Sequence, residues 1–326
     1  MESLLAKGAR IDKEIGAVFP KSGTPNLEEA VWYHLATGGK RVRPALAIAT
    51  YEALGGKGDI ILPFAAACEI LHAWLLVHDD IEDGDEVRRD KPALWKKYGM
   101  AHGINDGDYM AQKVYELILR SKRYGMDNET IFRLMDAMIA TTIKTAEGQA
   151  KDINLRDVDA PTEKQYMEMI RGKTGYYLTV PIVGGAIAAG ADDDTVKKII
   201  KYGSFVGPLF QITDDVIDVT DGKGRGETGR DIKEGKKSIL VVHCLTKASN
   251  EEKKKLLAIL KKPPAETANG DVTWAKALFE RHGSIEYARK KAAVLAGEAR
   301  KIAKNVEPAL GEIMVAFADF LVTRKK

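Results

Sequence analysis

An all-α fold is predicted by three features of the 326-residue chain. Apolar residues recur at helical spacing, as in Phe132, Met135, Met138 and Ile139, or in Ile302, Val306, Leu310, Ile313 and Phe317. Alternating apolar and polar runs joined by hairpin turn signals are scarce, so few strands are expected. Glycine and proline cut the pattern into pieces of ordinary helix length, at Gly38-Gly39, Gly55-Gly56, Gly99, Gly125, Asp159-Ala160-Pro161, Gly203 and Pro263-Pro264.

Taken in order, residues 63–77 and 178–191 are the least polar stretches and read as buried helices. The first is interrupted by Glu69 and His72, and the second is shorter than the roughly 20 residues a bilayer demands, so no membrane span is expected. Residues 221–237 alternate Gly222, Gly224, Gly226, Gly229 and Gly235 with charges, which predicts a mobile loop rather than a helix. Residues 261–271 form a second flexible stretch, but the remaining C-terminal helical region is too short for a domain of its own. A single domain over residues 1–326 is expected, without the internal period of a solenoid.

Composition narrows the function. With 45% hydrophobic residues the chain can bury a large core, and a net charge of +3 with interspersed signs gives no stripe suited to nucleic acid. Cys68 and Cys244 lie in apolar surroundings without metal-ligand spacing, which argues against disulfides or zinc and for a reducing, cytoplasmic setting. The first 19 residues carry Lys7, Arg10, Asp12, Lys13 and Glu14, so no apolar signal-peptide core is expected there.

Two acidic clusters share the spacing DDxxD, Asp79-Asp80-Ile81-Glu82-Asp83 and Asp214-Asp215-Val216-Ile217-Asp218. On a helix the first and last aspartates lie on one face and the middle one about 100° round. A single such cluster reads equally well as a solvated helix end. Two, each following an apolar run, read as hard oxygen ligands, which suit Mg²⁺ bound through carboxylates and substrate phosphate oxygens. Basic groups complete the pattern: Lys40, Arg41 and Arg43, then Arg88-Arg89, Lys173-Thr174 and Lys236-Lys237. Each alone reads as surface, but together they suit two phosphate-bearing substrates.

The ordered set GGKRVRP, EILHAWLLVHDDIEDGDEVRR, GKTG, FQITDDVID and GRDIKEGKKS resembles the trans-isoprenyl diphosphate synthases from Gly38 to about Lys237. The resemblance implies a single large helical bundle of the isoprenoid synthase type with a central catalytic cavity. It implies that Asp79, Asp80, Asp83, Asp214, Asp215 and Asp218 hold Mg²⁺ on an allylic diphosphate gripped also by Arg88 and Lys173. Lys40, Arg43, His72 and Arg89 resemble the family's isopentenyl diphosphate site, Thr174 and Gln211 resemble its residues beside the developing carbocation, and Phe210 stands at the family's position lining the reaction centre. Lys236, in the last of these motifs, is a further substrate-binding candidate, and similar enzymes are commonly homodimers. Two departures stand out: Gly226 occupies the place of a loop lysine, for which Arg225 could substitute, and Asp90 replaces glycine in Arg88-Arg89-Asp90-Lys91-Pro92.

Other readings explain less. A non-catalytic partner subunit of a heteromeric synthase would lose the clusters, and a terpene cyclase has no second diphosphate to bind. His78-Asp79 suggests an HD-type phosphohydrolase but leaves the second DDxxD unexplained, and His78 reads more simply as a packed helix residue. The glycines near Lys236 miss P-loop spacing.

Product length is expected to depend on depth below Asp79. Trp74 lies five residues earlier, roughly 7.5 Å along a helix. A helical wheel favours Leu75 as the wall, with Leu71 one turn deeper, and turns Trp74 about 140° away. The resemblance favours Trp74 as the floor, and with Leu75 not aromatic it implies geranylgeranyl diphosphate (C20), the alternatives being farnesyl (C15) and geranylfarnesyl (C25) diphosphate.

Overall fold

The computed structural model describes residues 7–21, 23–220 and 228–324. In chain order its helices are α1 (Asp12–Val18), α2 (Glu28–Leu35), α3 (Val42–Ala53), α4 (Leu62–Glu82), α5 (Leu94–Tyr98), α6 (Met100–Arg120), α7 (Asn128–Leu155), α8 (Glu163–Ile170), α9 (Tyr176–Ala188), α10 (Asp193–Thr220), α11 (Arg230–Lys233), α12 (Ile239–Lys247), α13 (Asn250–Leu260), α14 (Asn269–Arg281), α15 (Ser284–Ala303) and α16 (Pro308–Thr323). The one sheet among the described residues is a hairpin of β1 (Val87–Arg88) and β2 (Lys91–Pro92), pairing Val87 with Pro92 and Arg88 with Lys91. The all-α expectation holds.

The chain forms two compact units interleaved along the sequence. The first comprises the described residues of Met1–Thr141 with Tyr177–Ile200 and Ala303–Ile313. Its centre is α4, which starts on Pro63, whose missing N–H costs nothing in the first turn, and is apolar and buried through most of its first three turns. It packs along α6 and against α3. The glycine pair in α9 lets that helix approach closely: a Cβ at Gly184 would lie 2.0 Å from the Phe64 ring, and one at Gly185 2.6 Å from the Ala47 carbonyl. Both of the predicted apolar helices are therefore present and buried.

On α7 the buried face is Ile131, Leu134 and Met138, whereas Phe132 is 73% and Ile139 42% exposed. The helical spacing of Phe132, Met135, Met138 and Ile139 is present, with Met138 on the buried face.

The second unit comprises Thr142–Tyr176, Lys201–Ile302 and the described residues of Met314–Lys326. Here α8 starts on a capping box, Thr162 with Gln165, and continues into a π-helical turn at Arg171–Gly175. The backbone of that turn is flanked by glycines. A Cβ on Gly148 of α7 would fall 1.9 Å from the Lys173 nitrogen, and one on Gly207 of α10 2.3 Å from the Gly175 Cα. Gly203, expected to end a helix, lies inside α10, with its carbonyl 3.3 Å from where a Gly175 Cβ would stand. That close approach bears on Gly175, and Gly203 itself does not terminate the helix.

The predicted loop over 221–237 is also corrected in part. Residues 230–233 form α11, preceded by Gly229 at φ 80° and followed by Gly235 at φ 69°. Glycines at left-handed positions on both sides of a short helix are terminators rather than signs of disorder. Arg225 and Gly226 lie outside the described residues. No helix among those described is long and apolar enough to cross a membrane.

Candidate active site

In the first unit, Asp79 and Asp80 lie in the last turn of α4, and Asp83 caps it, with the Asp83 N–H donating to the Asp79 carbonyl at 2.9 Å. The negative end of the helix dipole thus carries three more negative charges, an arrangement that favours a bound cation. The three are not equivalent. Asp79 is half-buried, whereas Asp80 is 1% exposed and takes the Arg88 Nε hydrogen bond at 2.8 Å and a second bond from the same guanidinium. Arg88 also lies 3.7 Å from Asp85. The hairpin carries this arginine at the end of β1, where it is buried. Its two-residue turn, Arg89-Asp90, has φ of 53° and 62°. Asp90 therefore occupies a left-handed position natural to glycine, exposed and turned out of the way of Arg88.

A cationic group occupies the opposite kind of helix end. Lys40 precedes α3, Arg41 is its N-cap in a left-handed conformation, and Arg43 stands in its first turn. Positive side chains at a positive helix terminus call for an anion. The Arg43 guanidinium lies 4.8 Å from the Tyr177 ring centroid, and the His72 ring stacks on the same tyrosine at 6.4 Å. Arg89 reaches over Gly39, where a Cβ would stand 3.2 Å from its guanidinium nitrogens, and donates to Thr37 Oγ1 at 3.4 Å. That contact accounts for the second glycine of GGKRVRP. Burial first, then Arg43, Arg89 and Arg88, push the His72 imidazole well below its ordinary pKa, and burial with Arg88 and Arg89 pushes His34 down to about 3. Lys40, Arg43, His72 and Arg89 are thus all placed in the first unit, with His72 neutral.

In the second unit, Asp214, Asp215 and Asp218 lie in the last two turns of α10, again at a negative helix end. Asp214 is half-buried, and Arg324, just past the end of α16, donates to it at 2.6 Å and covers the Phe210 ring at 4.0 Å. Asp215 is 3% exposed and accepts from the Tyr166 hydroxyl at 2.7 Å, the Ile239 N–H at 3.0 Å and the Gln211 amide at 3.1 Å. Burial first, then the charge of Asp215, raise the Tyr166 phenol well above its ordinary pKa, so it stays a donor. Asp218 accepts the Asp231 N–H at 3.2 Å.

The π-helical turn presents Lys173 to Asp152 at 2.6 Å and Thr174 to the Gln211 Oε1 at 3.3 Å. Lys236 meets Glu234 at 2.5 Å, while Lys237 is 2% exposed and donates to the Arg156 carbonyl at 2.7 Å. Asp152, Tyr166, Lys173, Gln211, Asp215, Asp231 and Lys236 line one pocket within this unit. Sequence reasoning missed Arg324, Tyr166 and Asp152. Their partners lie 110, 49 and 21 residues away, and no local motif marks them.

Of the depth-setting candidates on α4, Leu71 is fully buried in the core, while Trp74 and Leu75 are half-buried. The Trp74 indole N–H donates to His78 Nδ1 at 3.2 Å.

Residues 24–277 match the model of the polyprenyl synthetase family. The chain is 37% identical to a geranylgeranyl diphosphate synthase of Saccharolobus solfataricus, over 83% of this chain and 81% of that protein. It is 33% identical to a short chain isoprenyl diphosphate synthase of Methanothermobacter thermautotrophicus, over 97% of this chain and 94% of that one. Among solved structures, a geranylgeranyl pyrophosphate synthetase from Pyrococcus horikoshii superposes with a TM-score of 0.88 at 32% identity, covering 99% of both chains. The chain belongs to the polyprenyl synthetase family.

Proposed function

We propose that this chain is a Mg²⁺-dependent trans-prenyltransferase that joins isopentenyl diphosphate to dimethylallyl, geranyl or farnesyl diphosphate, with geranylgeranyl diphosphate as the main product. The observation that carries the reading is the charge placement in a member of this family: aspartates at negative helix ends and cations at a positive one, each set calling for its counter-ion. The names of the relatives from S. solfataricus and P. horikoshii support the same class and the C20 product. Trp74 with the non-aromatic Leu75 supports that length, as the floor of the space for the growing chain.

In the reaction the allylic C–O bond breaks, the double bond of isopentenyl diphosphate attacks the resulting carbocation to form a C–C bond, and loss of a proton gives an allylic diphosphate one C5 unit longer. Mg²⁺ held by Asp79, Asp80, Asp83, Asp214, Asp215 and Asp218 would neutralise the departing diphosphate; carboxylate oxygens are the donors such a hard cation takes. Asp79 and Asp214 are the outward members of this set, and Asp80 and Asp215 hold the helix ends in place. Lys40, Arg43 and Arg89 would hold isopentenyl diphosphate, with neutral His72 adding a hydrogen bond rather than charge. Arg88, Lys173 and Lys236 would exchange their carboxylate partners for phosphate oxygens. Thr174 and Gln211 would turn oxygens towards the cation, beside the Phe210 ring, and the departing diphosphate takes the proton, so no side-chain base is required.

The reading extends to a homodimer in the cytoplasm. Met100, Ile104 and Leu119 of α6, with Phe132 and Ile139 of α7, are large apolar residues between 42% and 73% exposed, which supports a partner surface for a second copy. The buried free thiols of Cys68 and Cys244 fit a reducing compartment.

Incubation with Mg²⁺, isopentenyl diphosphate and a labelled allylic primer, followed by chromatography of the dephosphorylated products, tests the reading. Labelled C20 alcohol that disappears in excess chelator is expected. Full turnover without a divalent cation, or no elongation with the fold intact, would overturn it.

A further inference from the structure

Trp74 is not a free side chain. Its indole N–H donates to Nδ1 of His78, one helical turn on, at 3.2 Å, and the two rings meet edge to face with centroids 6.2 Å apart. Because Nδ1 accepts, Nε2 carries the imidazole hydrogen, and it faces the Ile104 carbonyl of α6 at 3.3 Å, with Asp108 Oδ1 at 3.7 Å. The imidazole lies over Gly107, where a Cβ would stand 2.1 Å from Nε2. The ring is therefore fixed on both nitrogens and from below, and it in turn fixes the indole. A large aromatic side chain half-exposed on a helix samples other rotamers unless something holds it, and here two helices hold it through a single imidazole.

We infer that His78, seated on Gly107, is a positioning residue for product length, locking the Trp74 indole across the path of the growing chain. The inference rests on the reading of Trp74 as the floor. His78 itself would touch no reacting atom. Its effect is on where elongation stops, because a floor that swings aside admits one more C5 unit.

The test is a double-mutant cycle read by product length. His78→Leu removes the acceptor and should raise the fraction of products longer than C20 at least fivefold. His78→Asn keeps an oxygen near the Nδ1 position and should stay within twofold of wild type. Trp74→Phe removes the indole N–H, so in that background His78→Leu should change product length less than twofold. Gly107→Ala, which pushes the imidazole away without altering α4, should reproduce the His78→Leu shift and supplies the same readout if His78→Leu does not fold. An equal shift from His78→Leu in both backgrounds, or a loss of turnover without any change in length, would overturn the inference. Trp74→Ala separates it from the reading beneath: unchanged lengths there remove the floor itself, whereas longer products there with none from His78→Leu or Gly107→Ala remove only the role of His78.

Discussion

In the first unit the middle aspartate of the cluster, Asp80, is 1% exposed and held by the charged guanidinium of Arg88; in the second, Asp215 is 3% exposed and held by a phenol, an amide and a backbone N–H. The spacing of the two clusters is identical and their electrostatics are not. Arg88 meets Asp80 as a charge, whereas the phenol, the amide and the backbone N–H on Asp215 are neutral donors that fix its direction. In the second cluster a guanidinium meets the outward residue, Arg324 donating to Asp214 at 2.6 Å. One motif thus takes different partners at its middle position, and the partners differ in what a mutation exposes.

The largest effect should come where the clusters are alike. Asp79→Ala and Asp214→Ala each remove an outward carboxylate, and each should lower turnover by a factor on the order of 10³ while leaving the circular-dichroism spectrum unchanged. A loss below tenfold from either one would mean that the clusters do different work.

The buried members should then separate the units. Asp80→Asn takes the close carboxylate from a buried guanidinium, leaving it Asp85 at 3.7 Å, and should cost about 3 kcal/mol in urea unfolding. Asp215→Asn turns one carboxylate oxygen into a donor facing donors and should cost about 1–2 kcal/mol. Equal losses would show that the charge on Arg88 is compensated from elsewhere.

The cationic surroundings of the first unit should appear in the pH dependence. Burial, then Arg88 and Arg89, hold His34 near a pKa of about 3, against about 6.5 in the unfolded chain. Between those values the unfolded state binds the extra proton, so this contribution to stability is whole above pH 6.5 and declines as the pH falls towards 3. At pH 5 the loss should be about 2 kcal/mol. His34→Phe should flatten the change in urea midpoint between about pH 7 and about pH 5, and parallel curves for the two proteins would mean that the imidazole is not held neutral.

The smallest effect concerns the hairpin that delivers Arg88. Asp90 has φ of 62° and is exposed, so Asp90→Gly relieves left-handed strain and should raise stability by about 0.5–1 kcal/mol without altering turnover. A destabilised variant would mean that the Asp90 side chain contributes a contact of its own.

The helical class, both aspartate clusters, the basic groups around them and the two apolar helices were legible in the sequence, because each is a pattern of neighbours within a few turns. The same local logic misjudged Gly203, which lies inside α10, and the stretch around α11, since a glycine that ends a helix and one inside a helix that lets another segment approach, as Gly207 does for Gly175, read alike until the partner is in place.

What the sequence by itself determined was the inventory: six carboxylates at DDxxD spacing, cations at GGKRVR and GKTG, and an aromatic five residues before Asp79. Tertiary structure alone decided which of these are outward and which are spent inside the fold. Arg324 reaches Asp214 across 110 residues, Tyr166 reaches Asp215 across 49, and Gly107 seats the histidine that holds Trp74. The physical reason is that helix periodicity is fixed by bonds along the chain, whereas a hydrogen-bond partner is fixed by which surfaces pack together, and the energies that select one packing are summed over the whole core.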